Sequence, residues 1–531
     1  MSNKETANTA ENSPKKKKNL KKFKYGSMSA VVIALVIVLV IILNLICSML
    51  AKRSPLKIDL TADNRYEISE ESVEAIKNLK GDVEITVTFP KSDFASMGAY
   101  YQQMYAYYGM NVETPYEMIP SILENYEMYA KQGSGSIKVQ YVDMNKDPDI
   151  ISKYRNFYNN DIPEGSIIVF SGNGDNGRVK VISREQIISM IKPANTSTQT
   201  AVTMTFVGES TLTSAIMNVT DANPIKTGFI SMMNGASLSG QGYDIMTEEF
   251  MSFLEKNGYD CTEIDIATDS ISPEEYDFLV LPMPAVDFSA DIIGKLGDFL
   301  YNDGNYQRNM LYIPSLYVGE LPNISEFLAD WSIEVEENVV LDDTNWIETY
   351  IFNQNINKNI NIKVEINDTD SVGSLPNETL PIVAPATKKL NILTKNNDSV
   401  ATSVLKSMET SFDQDSEAKG ARDTAIVSVK ETSAGLDRYS SHLLVLGSSY
   451  MISDTLLTQT NAFNNANVII GMLNTMTGKE TSAVIPDKAL QQALITPTAA
   501  EMNGIRIFVL YAIPVIVAAI GIVVFVRRKN R

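Results

Sequence analysis

Asp277-Phe-Leu-Val-Leu281, a helical stretch over residues 290–301 and Asn309-Met-Leu-Tyr-Ile313 follow one another as strand, helix, strand, and their reading decides the fold. Upstream, Thr227-Gly-Phe-Ile-Ser-Met232 reads as a strand, residues 244–257 as a helix and residues 261–266 as another strand. Such alternation predicts a mostly parallel, doubly wound α/β sheet. Around residues 345–392 the text changes to short β segments rich in Asn and Ile, a β-rich insertion. Strands at 424–429 and 442–446 and a helix at 461–473 then return and complete the same sheet, so this domain is expected over residues 225–488.

A smaller domain precedes it, over residues 56–192. Ser69 is a good N-cap ahead of Glu70 and Glu71, whose charges suit the positive end of a helix, and Val73, Ile76 and Leu79 line one helical face. Val83, Ile85, Val87 and Phe89 alternate with polar residues as in a half-buried strand. A helix at 116–130, a strand at 137–142, a hairpin at 166–170 and 178–182 and a helix at 185–191 complete an α/β unit with the element order of a thioredoxin-like domain. It lacks the redox C-x-x-C, so only the scaffold is shared. Residues 193–224 read as a Thr-rich linker, 196–205, followed by a docking helix, 210–219.

Both ends carry nearly unbroken apolar runs, residues 28–51 and 507–526. Each is long enough, as a helix, to cross a hydrocarbon core roughly 30 Å thick. Seven lysines, Lys15 to Lys18, Lys21, Lys22 and Lys24, crowd the entry to the first run. Arg527, Arg528, Lys529 and Arg531 crowd the exit of the second. Positive-inside bias therefore predicts a two-pass membrane protein with transmembrane helices at 25–51 and 505–526. Its tails at 1–24 and 527–531 are cytoplasmic, the first of them disordered, and residues 53–504 are extracytoplasmic, with 489–504 as the membrane-proximal segment. The first run is too long for a cleaved signal core and has no A-x-A-like site after it. Bulky Ile46 before Cys47 argues against a lipid attachment motif.

Residues 54–504 carry 30 Lys and Arg against 62 Asp and Glu, a net charge of −32. A body so acidic repels nucleic acid and anionic lipid head groups. Cys47 lies in the first apolar run and Cys261 is alone in the excursion, so core burial, not an internal disulfide, must hold this part together.

The ordered motifs resemble those of GldG-type auxiliary subunits of ABC transporters. Asp59-Leu-Thr61 with Arg65-Tyr-Glu-Ile-Ser69 is similar to that family's opening motif just outside the membrane. Tyr126, the Ile137-x-Val139-x-x-x-Asp143 pattern and Asp147-Pro148 resemble its central segment. Glu209-Ser-Thr-Leu-Thr-Ser-Ala215 resembles its G-E…L-T-x-A-I helix, and Pro514, Gly521, Arg527 and Arg528 resemble its terminal span. Residues 97–117 and 346–377 depart from the pattern. The resemblance implies a non-catalytic, membrane-anchored accessory subunit that couples an ABC permease, driven by a separate ABC ATPase, to an extracytoplasmic cargo or envelope component. It also implies no cofactor.

Several chemical motifs are almost present. Gly172-Asn-Gly-Asp-Asn-Gly177 spells G-x-G-x-x-G, but a strand follows it instead of a helix, so a hairpin turn is expected. Residues 471–479 imitate a phosphate loop, with six residues between the glycines and Glu480 where a hydroxyl belongs. Asp143, Asn145, Asp147 and Asp149 have the spacing of a calcium loop but meet Pro148 and Tyr154 at the positions of its Gly and Glu. One His and one available Cys cannot make a usual zinc site. The doubly wound domain resembles a glutamine-amidotransferase-like scaffold, whose nucleophilic cysteine would follow the strand ending at Ile313. Pro314-Ser315 stands there instead, and His442 is the chain's one histidine. A hydrolase would need these two to converge. The tyrosines Tyr100, Tyr101, Tyr105, Tyr107 and Tyr108 form the remaining candidate surface, either packed on their own domain or anchoring a glycan or protein partner in a membrane-tethered scaffold.

Overall fold

The computed structural model describes residues 67–490 and, ahead of them, residues 35, 38, 41 and 42. Within 67–490 it leaves aside residues 108–114, 159–160, 173–176, 195–202, 222, 240–242, 317–318, 348–357, 395–397, 436, 461 and 480–483. The second apolar run and both tails lie outside the described residues. Of the first run, Leu35, Val38, Ile41 and Ile42 are helical and exposed. Among the described residues no helix is long and apolar enough to cross a membrane.

The chain is a mixed α/β protein. Its smaller sheet contains β1 (Asp82–Val87), β2 (Ser136–Tyr141), β3 (Ile167–Ser171) and β4 (Arg178–Ile182) in the order β2-β1-β3-β4. β1 and β2 are parallel, while β3 runs antiparallel to both β1 and β4. Helices α1 (Glu70–Lys77), α2 (Ser92–Tyr107), α3 (Met118–Ala130) and α4 (Arg184–Ile188) surround it. Ser69 caps α1 by accepting from the Ser72 N–H. Ser183 and Gln186 form a reciprocal capping box on α4, a start signal one residue earlier than expected.

The segment read as a linker is partly built into a sheet. β5 (Ile191–Ala194) pairs antiparallel with β6 (Thr203–Phe206), and β6 pairs with β20 (Lys488–Ala489). The expected helix at 185–191 therefore ends at Ile188 and the chain becomes a strand. Helix α5 (Gly208–Thr220) follows, and its Leu212, Ile216 and Val219 join the core of the smaller sheet. The described residues from 67 onward belong to one compact unit, Arg65–Arg531.

A second sheet of 13 strands carries the rest. β7 (Ile225–Met233) pairs with the short β8 (Ala236–Ser237) and, in parallel, with β9 (Tyr259–Asp265) and β10 (Phe278–Pro282). β11 (Asn309–Ile313) extends this parallel run. β10 and β11 are buried at every position, which explains their continuous apolar text. Later come β12 (Ile333–Leu341), β13 (Asn361–Ile366), β14 (Ile382–Pro385), β15 (Lys388–Ile392), β16 (Ser399–Ser407), β17 (Phe412–Asp413), β18 (Asp423–Ala434) and β19 (Asp437–Leu446). β19 returns parallel to β11, and β18 turns antiparallel beside it. The β-rich segment thus continues the same sheet, in the order β14-β13-β16-β18-β19.

Helices cover both faces of this sheet. Phe278, Val280, Leu311 and Leu444 meet α6 (Asp244–Lys256) and α10 (Asn465–Thr477) on one side. Leu279, Leu281, Met310 and Val445 meet α7 (Ala290–Tyr301) and α8 (Pro322–Asp330) on the other. The short α9 (Asp454–Thr458) precedes α10, whose start lies at Asn465, four residues beyond the expected one.

Candidate functional site

Three of the sequence motifs, distant in the chain, meet in one buried network. Glu209, in the first turn of α5, is 1% exposed. Its Oε1 accepts from the Ser69 N–H at 2.6 Å, and its Oε2 faces the Lys488 ammonium at 2.8 Å. Lys488 also donates to the Glu67 carbonyl. The Tyr126 hydroxyl, wholly buried on α3, donates to the Glu209 carbonyl at 3.2 Å and shares a hydrogen bond of 2.6 Å with Thr213 Oγ1. Thr213 in turn lies 3.1 Å from Ser72 Oγ. Next to Glu209 in the chain, Ser210 Oγ donates to Asp487 at 2.6 Å. Burial, with the Glu209 charge beside it, holds the Tyr126 phenol well above its ordinary range. A carboxylate is tolerated at such depth only when its charge is compensated, and here the Lys488 ammonium and the Ser69 N–H do so. The arrangement is closed to substrate, and what it does is fasten residues 67–72 to residues 487–488 through α3 and α5.

The large sheet has its own expected place for chemistry. From β7 the chain passes to β9 on one side and then crosses to β10 on the other. In open α/β sheets the crevice beyond the strand C-termini at such a reversal is where ligands bind. Asp265 closes the turn after β7 by accepting from the Asn234 and Gly235 N–H groups at 2.9 and 2.6 Å, and these bonds hold its carboxyl below the usual range. Met283, just beyond β10, has φ 49° and donates to the Ile313 carbonyl at 2.7 Å. Ser315, just beyond β11, is buried, and its Oγ has no hydrogen-bond partner among the described residues.

No base reaches that hydroxyl from His442. The histidine pairs in register with Asn309, at the opposite end of β11, and its Nδ1 lies 2.7 Å from Asn309 Oδ1. Six residues of extended chain separate the two ends, about 20 Å at 3.3 Å per residue. Burial lowers the pKa of the imidazole.

The tyrosines divide between two faces of α2. Tyr101 and Tyr105 pack on the small-domain core, with Tyr101 5.2 Å from the buried Tyr116 ring. Burial raises both phenols. Tyr100 and Tyr107 are 64% and 86% exposed, and Tyr108 lies outside the described residues. The other motifs are structural. Gly172 and Gly177 lie in the segment that joins antiparallel β3 and β4. Gly471 lies inside α10, and Gly478 is its left-handed C-cap. Asp143 is engaged by Lys146 at 2.8 Å, and among the described residues no group of acids, His and Cys is arranged to hold a metal.

Sequence reasoning missed a cleft of about 250 Å3 between the two sheets, walled by β4 and α4, by α5 and by α6. Lys180, Glu255 and Lys256 bring charges to it, and Thr211, Ser214 and Asn218 line it along one face of α5. The polar i, i+3, i+7 spacing on a helix otherwise buried was the available signal.

No family model matches the chain, and no curated protein matches it. Similar solved structures include the mmIFT52 N-terminal domain, at 15% identity and a TM-score of 0.34, covering 48% of this chain and 98% of that one. A protein assigned to GMP synthase, from Thermoplasma acidophilum, is 15% identical, with a TM-score of 0.26 over 48% of this chain and 96% of that one. A ThuA-like protein from Bacteroides uniformis is 12% identical, with a TM-score of 0.29 over 49% and 95%. Scores this low assign neither fold family nor function.

Proposed function

We propose that this chain is a non-catalytic accessory subunit of an ABC-type transporter, of the GldG type. In this reading apolar runs at both ends anchor it, and its acidic α/β body couples the permease to an extracytoplasmic cargo or envelope component. The observation that carries the reading is the network around Glu209. Segments singled out separately as family-like, 65–69, Tyr126 and 209–215, supply Ser69, Tyr126, Glu209 and Thr213 to it. Lys488, the last charged residue described before the second apolar run, closes it. A protein that relays movement between membrane and outer body needs its two ends fastened to that body. The finer fold assignments belong to the same proposal: the β2-β1-β3-β4 order supports a thioredoxin-like small domain, and helices on both faces of the parallel strands support a doubly wound, glutamine-amidotransferase-like one.

Affinity purification of the full chain after gentle solubilisation tests the proposal. A permease and an ATP-binding protein are expected in stoichiometric amount; a chain recovered with neither overturns it. The hydrolase reading is disfavoured by the separation of Ser315 from His442.

A further inference from the structure

The seam between the two sheets is loosely filled. A cleft of about 250 Å3 lies between the elements of the two sheets, half-enclosed and open to solvent on one side. A second, water-sized cavity of about 40 Å3 continues the seam, sharing Ser214 and Lys256 with the first. At roughly 30 Å3 per molecule the larger cleft holds about eight waters. It lies below the roughly 300–1,000 Å3 of ordinary ligand pockets, so the occupant is small. Among the described residues no aromatic ring lines it, which removes the stacking platform that a base or a sugar face uses.

Its polar groups specify the rest. Glu255 projects from α6 with a half-buried side chain, and no described residue forms an ion pair or side-chain hydrogen bond with its carboxylate. Burial pushes this carboxyl above its ordinary range, the Lys180 charge opposes that push, and Asp260 adds to it. A ligand ammonium would relieve the cost of that burial. Lys180 on β4 brings positive charge from the wall supplied by the smaller sheet, suited to a carboxylate. Thr211, Ser214 and Asn218 supply neutral donors and acceptors between them.

We propose that this cleft binds an amino-acid-sized zwitterion, its ammonium at Glu255 and its carboxylate at Lys180. Because the walls come from both sheets, the bound molecule bridges them. The site goes beyond the transporter reading and does not depend on it: a chain that binds such molecules without any permease would leave this proposal standing and the other overturned.

Calorimetric titration of the purified full chain in detergent with each standard amino acid tests it. At least one is expected to bind, and its methyl ester and its des-amino analogue to bind about ten-fold more weakly or worse, as loss of a charge-assisted hydrogen bond implies. Glu255→Gln and Lys180→Met are expected to weaken binding to the same degree. Lys180 is exposed, so its variant keeps the fold, and unchanged melting by circular dichroism checks this. The proposal is overturned if no amino acid binds at millimolar concentration. It is equally overturned if the ester and des-amino analogues bind as well as the parent, or if neither substitution changes affinity.

Discussion

Glu209 and Lys488 show how much one side chain decides. Lys488 is the only described cation at the Glu209 carboxylate, and Glu209 is 1% exposed. Lys488→Met should destabilise the chain by about 3–5 kcal/mol, the usual cost of stranding one member of a buried pair. Lys488→Met combined with Glu209→Gln should recover part of the loss, because no lone charge is then left. Denaturant unfolding followed by circular dichroism measures both, and equal destabilisation in the single and double variants would refute the pairing. Tyr126→Phe should cost less, about 1–3 kcal/mol, since it leaves Thr213 and the Glu209 carbonyl short of one partner. His442 supplies a pH dependence with a definite sign. Burial lowers its folded pKa from 6.5, so the unfolded chain binds the extra proton first. The stability tied to this group is complete above about pH 6.5 and is lost as pH falls below that value. His442→Gln should flatten the decline just below 6.5, and the effect is readable because the chain has no other histidine.

At the scale of elements, α10 turns on its contact with the loop after β13. A Cβ on Gly471 would lie 2.1 Å from the Val372 carbonyl oxygen, a backbone atom that cannot step aside. Gly471→Ala should therefore shift α10 and cost about 1–3 kcal/mol, as overpacking does. Its melting temperature should fall while Gly478→Ala, at a left-handed cap with open space, falls by less. The glycines of the phosphate-loop lookalike are thus explained by packing and capping. Elements whose period or burial is local were legible: β10, β11, the second half of β19 and the hairpin of β3 and β4 lie where apolar runs and alternation placed them. β6 was not, because Thr203–Phe206 is short, Thr-rich and paired with Lys488–Ala489, far away along the described chain. The β segments after residue 345 were visible as strands, yet their joining to the parallel sheet depends on β18, whose neighbours are not distinguishable from its text. The Glu209 network was half legible. Its motifs could be quoted, but their convergence is a tertiary fact, and the cleft beside α5 is an absence of atoms that no residue announces.

At the scale of the whole molecule, the proposed membrane topology carries a definite orientation. In it, the Lys and Arg that flank the two apolar runs, at residues 15–24 and 527–531, set the orientation by positive-inside bias. The network at Glu67, Glu209 and Lys488 adds a geometric condition, because it brings the first and last described segments of the body together. The proposed topology requires both apolar runs to enter one membrane from the same side. Single cysteines read this out. Cys261 is partly buried and its thiol is pushed up by burial and by Glu255 and Asp260, so it reacts slowly with maleimide and gives a low background. With Cys47→Ser as the parent, Val400→Cys places a thiol at a position 70% exposed on β16. It should be labelled by a membrane-impermeant maleimide on intact cells. Ser13→Cys, in the basic amino-terminal segment, should be labelled only after permeabilisation. Labelling in the reverse order would place the acidic body in the cytoplasm, where the proposed coupling to an extracytoplasmic cargo has no substrate to meet, and the accessory-subunit reading would fall while the fold described for residues 67–490 would stand.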